Sequence, residues 1–272
     1  MMSHVRGIQA YRVFLVVFCA AAQGADLDSA TLRVWEEYVR SATGQMERRA
    51  NSGAQFLWAD EVPDRRAKVR GGEVVASPID PQVPKRTGSG LIHDWVGAVF
   101  VPHVTLDAAL AVVGDYSRYK EFYAPVVVDS KALSPRDDKV RFSMRLMNKS
   151  FFLRTAFDAD YESCYVGIDN RRGYTLSRTT RVQEVEQYGS SSRRMLPQGS
   201  GSGILWHLFS ITRFLERDGG VYIEIEAIGL SRDIPVSMRW LIEPIVRRVS
   251  RSSIETCLRQ TEIAVRERSI GN

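Results

Sequence analysis

Asp115-Tyr116-Ser117-Arg118-Tyr119-Lys120-Glu121-Phe122-Tyr123-Ala124-Pro125 is the stretch on which the fold turns. An Asp–aromatic pair is followed by a Tyr three residues on, a Phe three further, and a Pro that starts a strand. Before it lie a strand, Leu91 to Val101, with His93-Asp94-Trp95 inside, and then a helical segment. After it comes the β-branched run Val126 to Leu133 and, beyond the turn Ser134 to Asp138, the alternating segment Val140 to Met147. There Val140, Phe142, Met144 and Leu146 fall on one face of a pleated strand, and Arg141, Ser143 and Arg145 on the other. Strand patterns continue through Phe151–Tyr161, Tyr165–Ile168 and Tyr174–Val185, and then as a hairpin, Ile204–Leu215 with Val221–Arg232, around Asp218-Gly219-Gly220. Between them, Gln187 to Gly203 is rich in Ser, Gly and Arg and reads as a disordered loop, with little apolar area to offset the entropy of ordering.

After Asp233-Ile234-Pro235 the period becomes helical. Met238, Leu241, Ile242, Ile245, Val246 and Val249 share one face, and Pro244 is expected to kink or restart the helix. Ser252-Ser253-Ile254-Glu255 has the form of a capping box, followed by a second stripe of Ile254, Cys257, Leu258, Thr261 and Val265. The order is thus strand, helical pair, a run of antiparallel strands, long helix. With the motif around Tyr119, Phe122 and Pro125, it resembles the START-like superfamily, in its coenzyme Q-binding and polyketide cyclase/dehydrase branch, over about Leu91 to Arg268. The resemblance implies an α+β helix-grip fold: a curved antiparallel sheet wrapped around a long C-terminal helix, with an apolar cavity between them. It also implies that Tyr119, Phe122, Tyr123, Phe142, Trp206, Phe214 and Trp240, with Leu258 from the helix stripe, line that cavity. Ordinary core packing is the alternative at each of these positions.

Upstream, Arg6 and Arg12 precede the apolar run Val13 to Ala22, and Ala22-Gln23-Gly24 sets small residues before a cut ahead of Ala25. Residues 1–24 read as a signal peptide, so the protein is expected in the periplasm or outside the cell. Loss of Arg6 and Arg12 lowers the formal net charge from +5 to +3, and the remaining Arg pairs are scattered. That balance carries no nucleic-acid motif, and transient membrane contact is expected instead. Residues 25–76 form a helical extension in which Leu27, Thr31, Val34, Trp35, Tyr38, Ala42 and Met46 share one face, with Asp28 or Ser29 as cap. Residues 77–89, with Pro78, Pro81 and Pro84, read as a linker to a ligand-binding domain over 90–269.

Little in the chain resembles catalytic apparatus. His93, His103 and His207 have no metal-ligand spacing, and no zinc pattern, dinucleotide loop or nucleophile elbow occurs, so no metal and no cofactor is expected. Glu224 and Glu226 share a strand face with Tyr222 and Arg232. The adopted orientation turns Ile223, Ile225 and Ala227 to the core and the glutamates to solvent; the other orientation puts acids in the cavity. Cys164 and Cys257 either bridge, as an exported compartment permits, or stay free thiols. Two functions follow: an exported carrier of a lipid or other hydrophobic molecule, or a cyclase, dehydratase or hydrolase acting on such a ligand in the same cavity. N-terminal sequencing of the exported protein should read from Ala25; Met1 on a cytoplasmic protein would rule out export.

Overall fold

The computed structural model describes residues 27–51, 55–136, 139–150 and 153–270, with backbone alone at 148–150, 153–155 and 270. The signal segment and its cut before Ala25 lie outside the described residues. Helix α1 (Ser29–Asn51) is followed by a short 3-10 turn, α2 (Pro63–Arg70), β1 (Val75–Pro78), β2 (Lys85–Thr87) and β3 (Gly90–Pro102). Next come α3 (Leu106–Val113), a 3-10 turn, α4 (Tyr119–Phe122), β4 (Val127–Arg136), β5 (Lys139–Ser150), β6 (Leu153–Gly167), β7 (Arg172–Glu186) and β8 (Arg194–Met195). The chain closes with β9 (His207–Arg217), β10 (Gly220–Arg232) and α5 (Arg239–Ile270).

The strands form one curved, unclosed sheet in the order β1-β3-β10-β9-β7-β6-β5-β4, with β2 on β3 and β8 on β7, and every pairing is antiparallel. The pleat gives this sheet two faces. Trp95, Val99, Val101, Phe214, Val221 and Ile223 pack against Ile254, Leu258 and Val265 of α5 on the inner face. Val96, Ala98, Phe100, Tyr222, Ile228 and Leu230 pack against Trp35, Val39, Met46, Leu57 and Trp58 of the N-terminal extension on the outer face. The architecture is α+β and helix-grip, and the extension adds a third layer. Among the described residues no helix is long and apolar enough to cross a membrane.

Local chemistry explains most elements. Asp28 caps α1 by accepting the Thr31 N–H at 2.6 Å, and the buried face of α1 runs Thr31, Trp35, Val39, Ala42, Met46. Residues 77–89, read as a linker, are no break: β1 and β2 are strands of the same sheet, and Thr31 donates to the Thr87 carbonyl at 3.2 Å. The strands expected at 151–161 and 165–168 are one long strand, β6, because its pairing with β7 continues through a bulge at Asp160/Tyr161. Helix α5 does not restart at Pro244; Ser253 sits within it and donates to the Val249 carbonyl, so the expected capping box does not form. Residues 187–203, expected to be disordered, hold contacts of their own. β8 pairs with Val185 and Glu186, Gln183 donates to the Leu196 carbonyl at 3.0 Å, and Glu184 accepts the Ser202 N–H at 2.7 Å. Cys164 and Cys257 are free, one on the sheet's outer face and the other on the helix across its inner face, too far apart in orientation to bridge.

A buried ionic cluster fastens the extension to the sheet. Glu224 and Glu226 do face away from α5, but they do not reach solvent: both are buried, with Arg213 and Asp94, beneath the extension. Arg213, opposite Glu224 in register, bonds Glu226, lies 3.7 Å from Glu224 and donates to Met46 Sδ at 3.2 Å. Glu224 accepts the Trp58 and Ala59 N–H groups at 2.8 and 2.7 Å, and Tyr38 donates to Asp94 at 2.9 Å. One cation faces three carboxylates. Burial raises Glu224 to about 7, and burial together with the Glu226 charge raises Asp94 to about 7.

The sign of the pH dependence follows. An acid whose folded pKa is raised stabilises the fold fully below its unfolded pKa, and that contribution is lost as pH rises through the folded value. His93, which burial lowers to about 4, and His207, also lowered by burial, act oppositely below their unfolded range. The melting temperature should therefore fall from about pH 6.5 to about pH 8.5, and Glu224→Gln should flatten that slope. Arg213→Ala, which strands two carboxylates, should cost about 3–5 kcal/mol in denaturant titrations.

Candidate functional site

The deciding stretch is held against the inner face by polar ties at each end. Thr105 caps α3 through the Ala108 N–H at 3.3 Å, and Glu216 accepts the Leu106 N–H at 2.6 Å. Beyond α3, Tyr119 donates to the Val113 carbonyl at 2.5 Å. Ser130 on β4 accepts the Lys120 N–H at 3.0 Å and donates to the Ser117 carbonyl at 2.9 Å. So fixed, the segment builds an aromatic stack with the strands. Tyr116 lies on Phe142 with centroids 4.1 Å apart, Phe142 lies on Tyr161 at 4.8 Å, and Tyr119 meets Tyr123 edge-on at 4.9 Å. Tyr123 hydrogen-bonds Thr261 of α5 at 3.0 Å, and Phe122 packs against both the stack and the cluster beneath α5.

The two faces of the sheet are filled unequally. Along β10 the outer-face residues Glu224, Glu226, Ile228 and Leu230 are all buried, whereas the inner-face residues Ile225, Ala227 and Gly229 between them are only half-buried. The inner-face neighbours Met144, Leu146, Ser177, Leu208, Ser210 and His93 are half-buried as well. Above them, no residue from 239 to 253 of α5 is buried, although Ile242, Val246 and Val249 are apolar; burial begins at Ile254. Gly97 marks the crossing point, where an added Cβ would lie 2.5 Å from Ile254 and 2.8 Å from Leu258. Glycine is required there because α5 presses directly on the backbone. On one side of the crossing the helix is seated; on the other it stands off the sheet. Tyr123 and Cys257 lie deep within the protein yet retain surface that water can touch. The inner face is therefore less fully covered beneath the N-terminal half of α5, toward the aromatic stack, than beneath its C-terminal half.

The titratable groups beside this face are uncharged. Burial raises the Tyr116, Tyr119, Tyr123 and Tyr161 phenols above their ordinary value and the Cys257 thiol to about 11, so all stay protonated. His93, held at 2.9 Å by Ser231, is neutral for the same reason, its pKa lowered to about 4. Among the described residues no cluster of His, Cys, Asp and Glu could hold a metal ion.

Of the residues expected at the cavity, Tyr119, Phe122, Tyr123 and Phe142 come together in the stack, and Phe214 and Leu258 pack under the seated half of α5. Trp206 does not join them. It precedes β9, so strand alternation does not govern it, and it packs in the outer cluster under the extension. Trp240 is 78% exposed, because the first turns of α5 overhang the sheet. Sequence reasoning missed Tyr116, Tyr161, the serines of β7 and β9, and the unfilled stretch of β10. The odd-numbered face of β10 was legible; which strands flank it was not.

No protein-family model and no curated protein matches the chain. Among solved structures it is similar to a STAR-related lipid transfer protein from Xanthomonas axonopodis, at 14% identity and a TM-score of 0.44, covering 67% of this chain and 96% of that one. It is also similar to the Zhui aromatase/cyclase from a Streptomyces species, at 12% identity and a TM-score of 0.38, covering 63% and 94%. A START superfamily protein from Mycobacterium smegmatis aligns at 9% identity with a TM-score of 0.40, covering 66% and 99%.

Phe122→Ala tests the bridge between stack and helix. Because Phe122 is half-buried, its loss should cost less than the about 3–5 kcal/mol of a fully buried Phe. Near-ultraviolet circular dichroism should change through the displaced Tyr123 and Tyr119.

Proposed function

We propose that the protein binds a hydrophobic small molecule in the recess beneath the N-terminal half of α5. The observation that carries this reading is the packing contrast along β10, closed on the outer face and open on the inner one. Protein interiors are close-packed, and an apolar surface left half-covered at depth is favourable only when something else fills it. A ligand burying a few hundred Å² there gains about 25 cal/mol per Å², enough for micromolar binding after association costs. A reaction needs an acid or base poised near neutral pH. The recess offers phenols, a thiol and a histidine all held neutral, so binding is preferred to catalysis.

Exchange of the ligand at a membrane surface is part of the proposal. Val236 at 73%, Trp240 at 78%, Ile245 at 41% and Leu241 at 36% exposure cluster at the overhanging start of α5. The surrounding sequence, Arg232 to Arg251, carries more arginine than acid, a composition suited to an anionic bilayer interface. Export rests on residues 1–24 alone and places that bilayer outside the cytoplasm.

Nile red, a neutral apolar fluorophore, tests the recess. Wild-type protein should enhance its fluorescence, and Ala227→Trp, which fills the half-open floor, should abolish the enhancement while the far-ultraviolet spectrum is kept. No enhancement by the wild type refutes the proposal. Trp240→Ala should leave the melting temperature unchanged, within about 0.5 kcal/mol in stability, and reduce co-sedimentation with phosphatidylglycerol vesicles.

A further inference from the structure

We infer that the recess selects apolar molecules carrying uncharged oxygen groups, hydroxyl or carbonyl, and rejects anionic headgroups, with the Tyr161 and Ser210 hydroxyls as its polar contacts. This rests on the recess being a binding site and names the class of ligand it takes.

The floor of the recess carries a row of hydroxyls that the strand register creates. Ser163 of β6 lies opposite Ser177 of β7, which lies opposite Ser210 of β9. One step along, Thr175 of β7 lies opposite Thr212 of β9, and Tyr161 lies opposite Thr179. Part of this row is satisfied within the protein: Ser163 and Ser177 hydrogen-bond at 2.7 Å, and Thr179 accepts the Leu208 N–H at 3.0 Å. Four members, Tyr161, Ser210, Thr175 and Thr212, make no side-chain hydrogen bond among the described residues, and the first two flank the half-buried floor. The Tyr161 hydroxyl is buried without a hydrogen-bond partner, and Ser210, half-buried, makes no side-chain hydrogen bond among the described residues. An unmet hydroxyl in an apolar interior is unfavourable until an oxygen or a donor arrives to pair with it. Hydroxyls both donate and accept, so alcohols, ketones, esters and quinones all suit them.

Charge is excluded by what is missing around that row. Among the described strand positions on the inner face, the arginines are two and both lie on edge strands: Arg86 of β2, held by Glu243 and Asp233, and Arg194 of β8, held by Glu186. The inner-face carboxylates lie at the ends of the sheet and are engaged, Glu216 with the Leu106 N–H, Glu184 with Ser202 and Glu186 with Arg194. Burial keeps His93 from supplying a positive charge at neutral pH. The sheet's other strand arginines flank the outer face, where Arg213 meets Glu226, Arg145 meets Asp158 and Arg181 meets Asp160. A phosphate or carboxylate reaching this strand floor would lose its water and find no unpaired cation on it.

Two fluorescent lipids with identical acyl chains, NBD-labelled diacylglycerol and NBD-labelled phosphatidic acid, decide the matter on the full-length protein, with Nile red as the control for the recess itself. The diacylglycerol should bind about tenfold or more tighter. Tyr161→Phe and Ser210→Ala each remove only a hydroxyl without a protein partner, so both should keep the wild-type melting temperature while the diacylglycerol preference shrinks. Equal or tighter binding of phosphatidic acid overturns the inference while Nile red binding leaves the recess standing. An undiminished preference in both variants overturns the assignment of those hydroxyls. Absence of binding by Nile red and by both lipids overturns the recess and this inference together.

Discussion

A long antiparallel sheet has two faces because its pleat has a period of two, and each apolar face needs a cover. The rest of this protein depends on how the two covers differ. Strands β3, β10 and β9 carry large apolar residues on both sides, so neither face could be left in water. The C-terminal helix takes one face and the N-terminal extension takes the other. That division explains why the extension is integral: Trp35, Met46, Leu57 and Trp58 share a core with Phe100, Tyr222 and Ile228.

The outer cover is held by direction as well as by area. Hydrophobic contact alone would let α1 slide, since it is non-directional. Glu224 fixes the Trp58–Ala59 backbone by two hydrogen bonds, Tyr38 reaches Asp94, and Arg217 pairs with Asp60 at 2.8 Å. A cluster with three carboxylates to one guanidinium is an expensive way to register two layers. It is also the reason the polar chemistry of β10 is spent on the outer face and leaves the inner one neutral.

The inner cover is seated over half its length. From Ile254 onward α5 presses onto Gly97 and buries Leu258, Ala264 and Val265, whereas its first turns overhang. A half-covered sheet face and an exposed tryptophan thus occur at the same end of one helix. The aromatic segment packs against the strands beyond that face, held there by the Ser130 and Tyr119 hydrogen bonds rather than by the C-terminal helix alone.

Local pattern was enough for the order of elements. Alternation located β3, β5, β9 and β10 closely, the step of three and four located α1 and α5, and the segment from Asp115 to Pro125 pointed to the helix-grip arrangement. Alternation also identified Ile223, Ile225 and Ala227 as one face of β10. Only the tertiary structure decided what lay against each face. Period two separates a strand's sides without naming the layer that covers them, so the glutamates assigned to solvent turned out to lie under the extension. Trp206 and Trp240 fell outside the site for a related reason: one precedes its strand and the other precedes the point where its helix meets the sheet, and neither position obeys the period that places its neighbours. The hydroxyl row was invisible because Ser163, Ser177 and Ser210 are far apart in the chain and meet only through register. Sequence periodicity determines which way a side chain points along its own element; how fully that direction is filled is set by elements distant in sequence, through packing that local pattern does not encode.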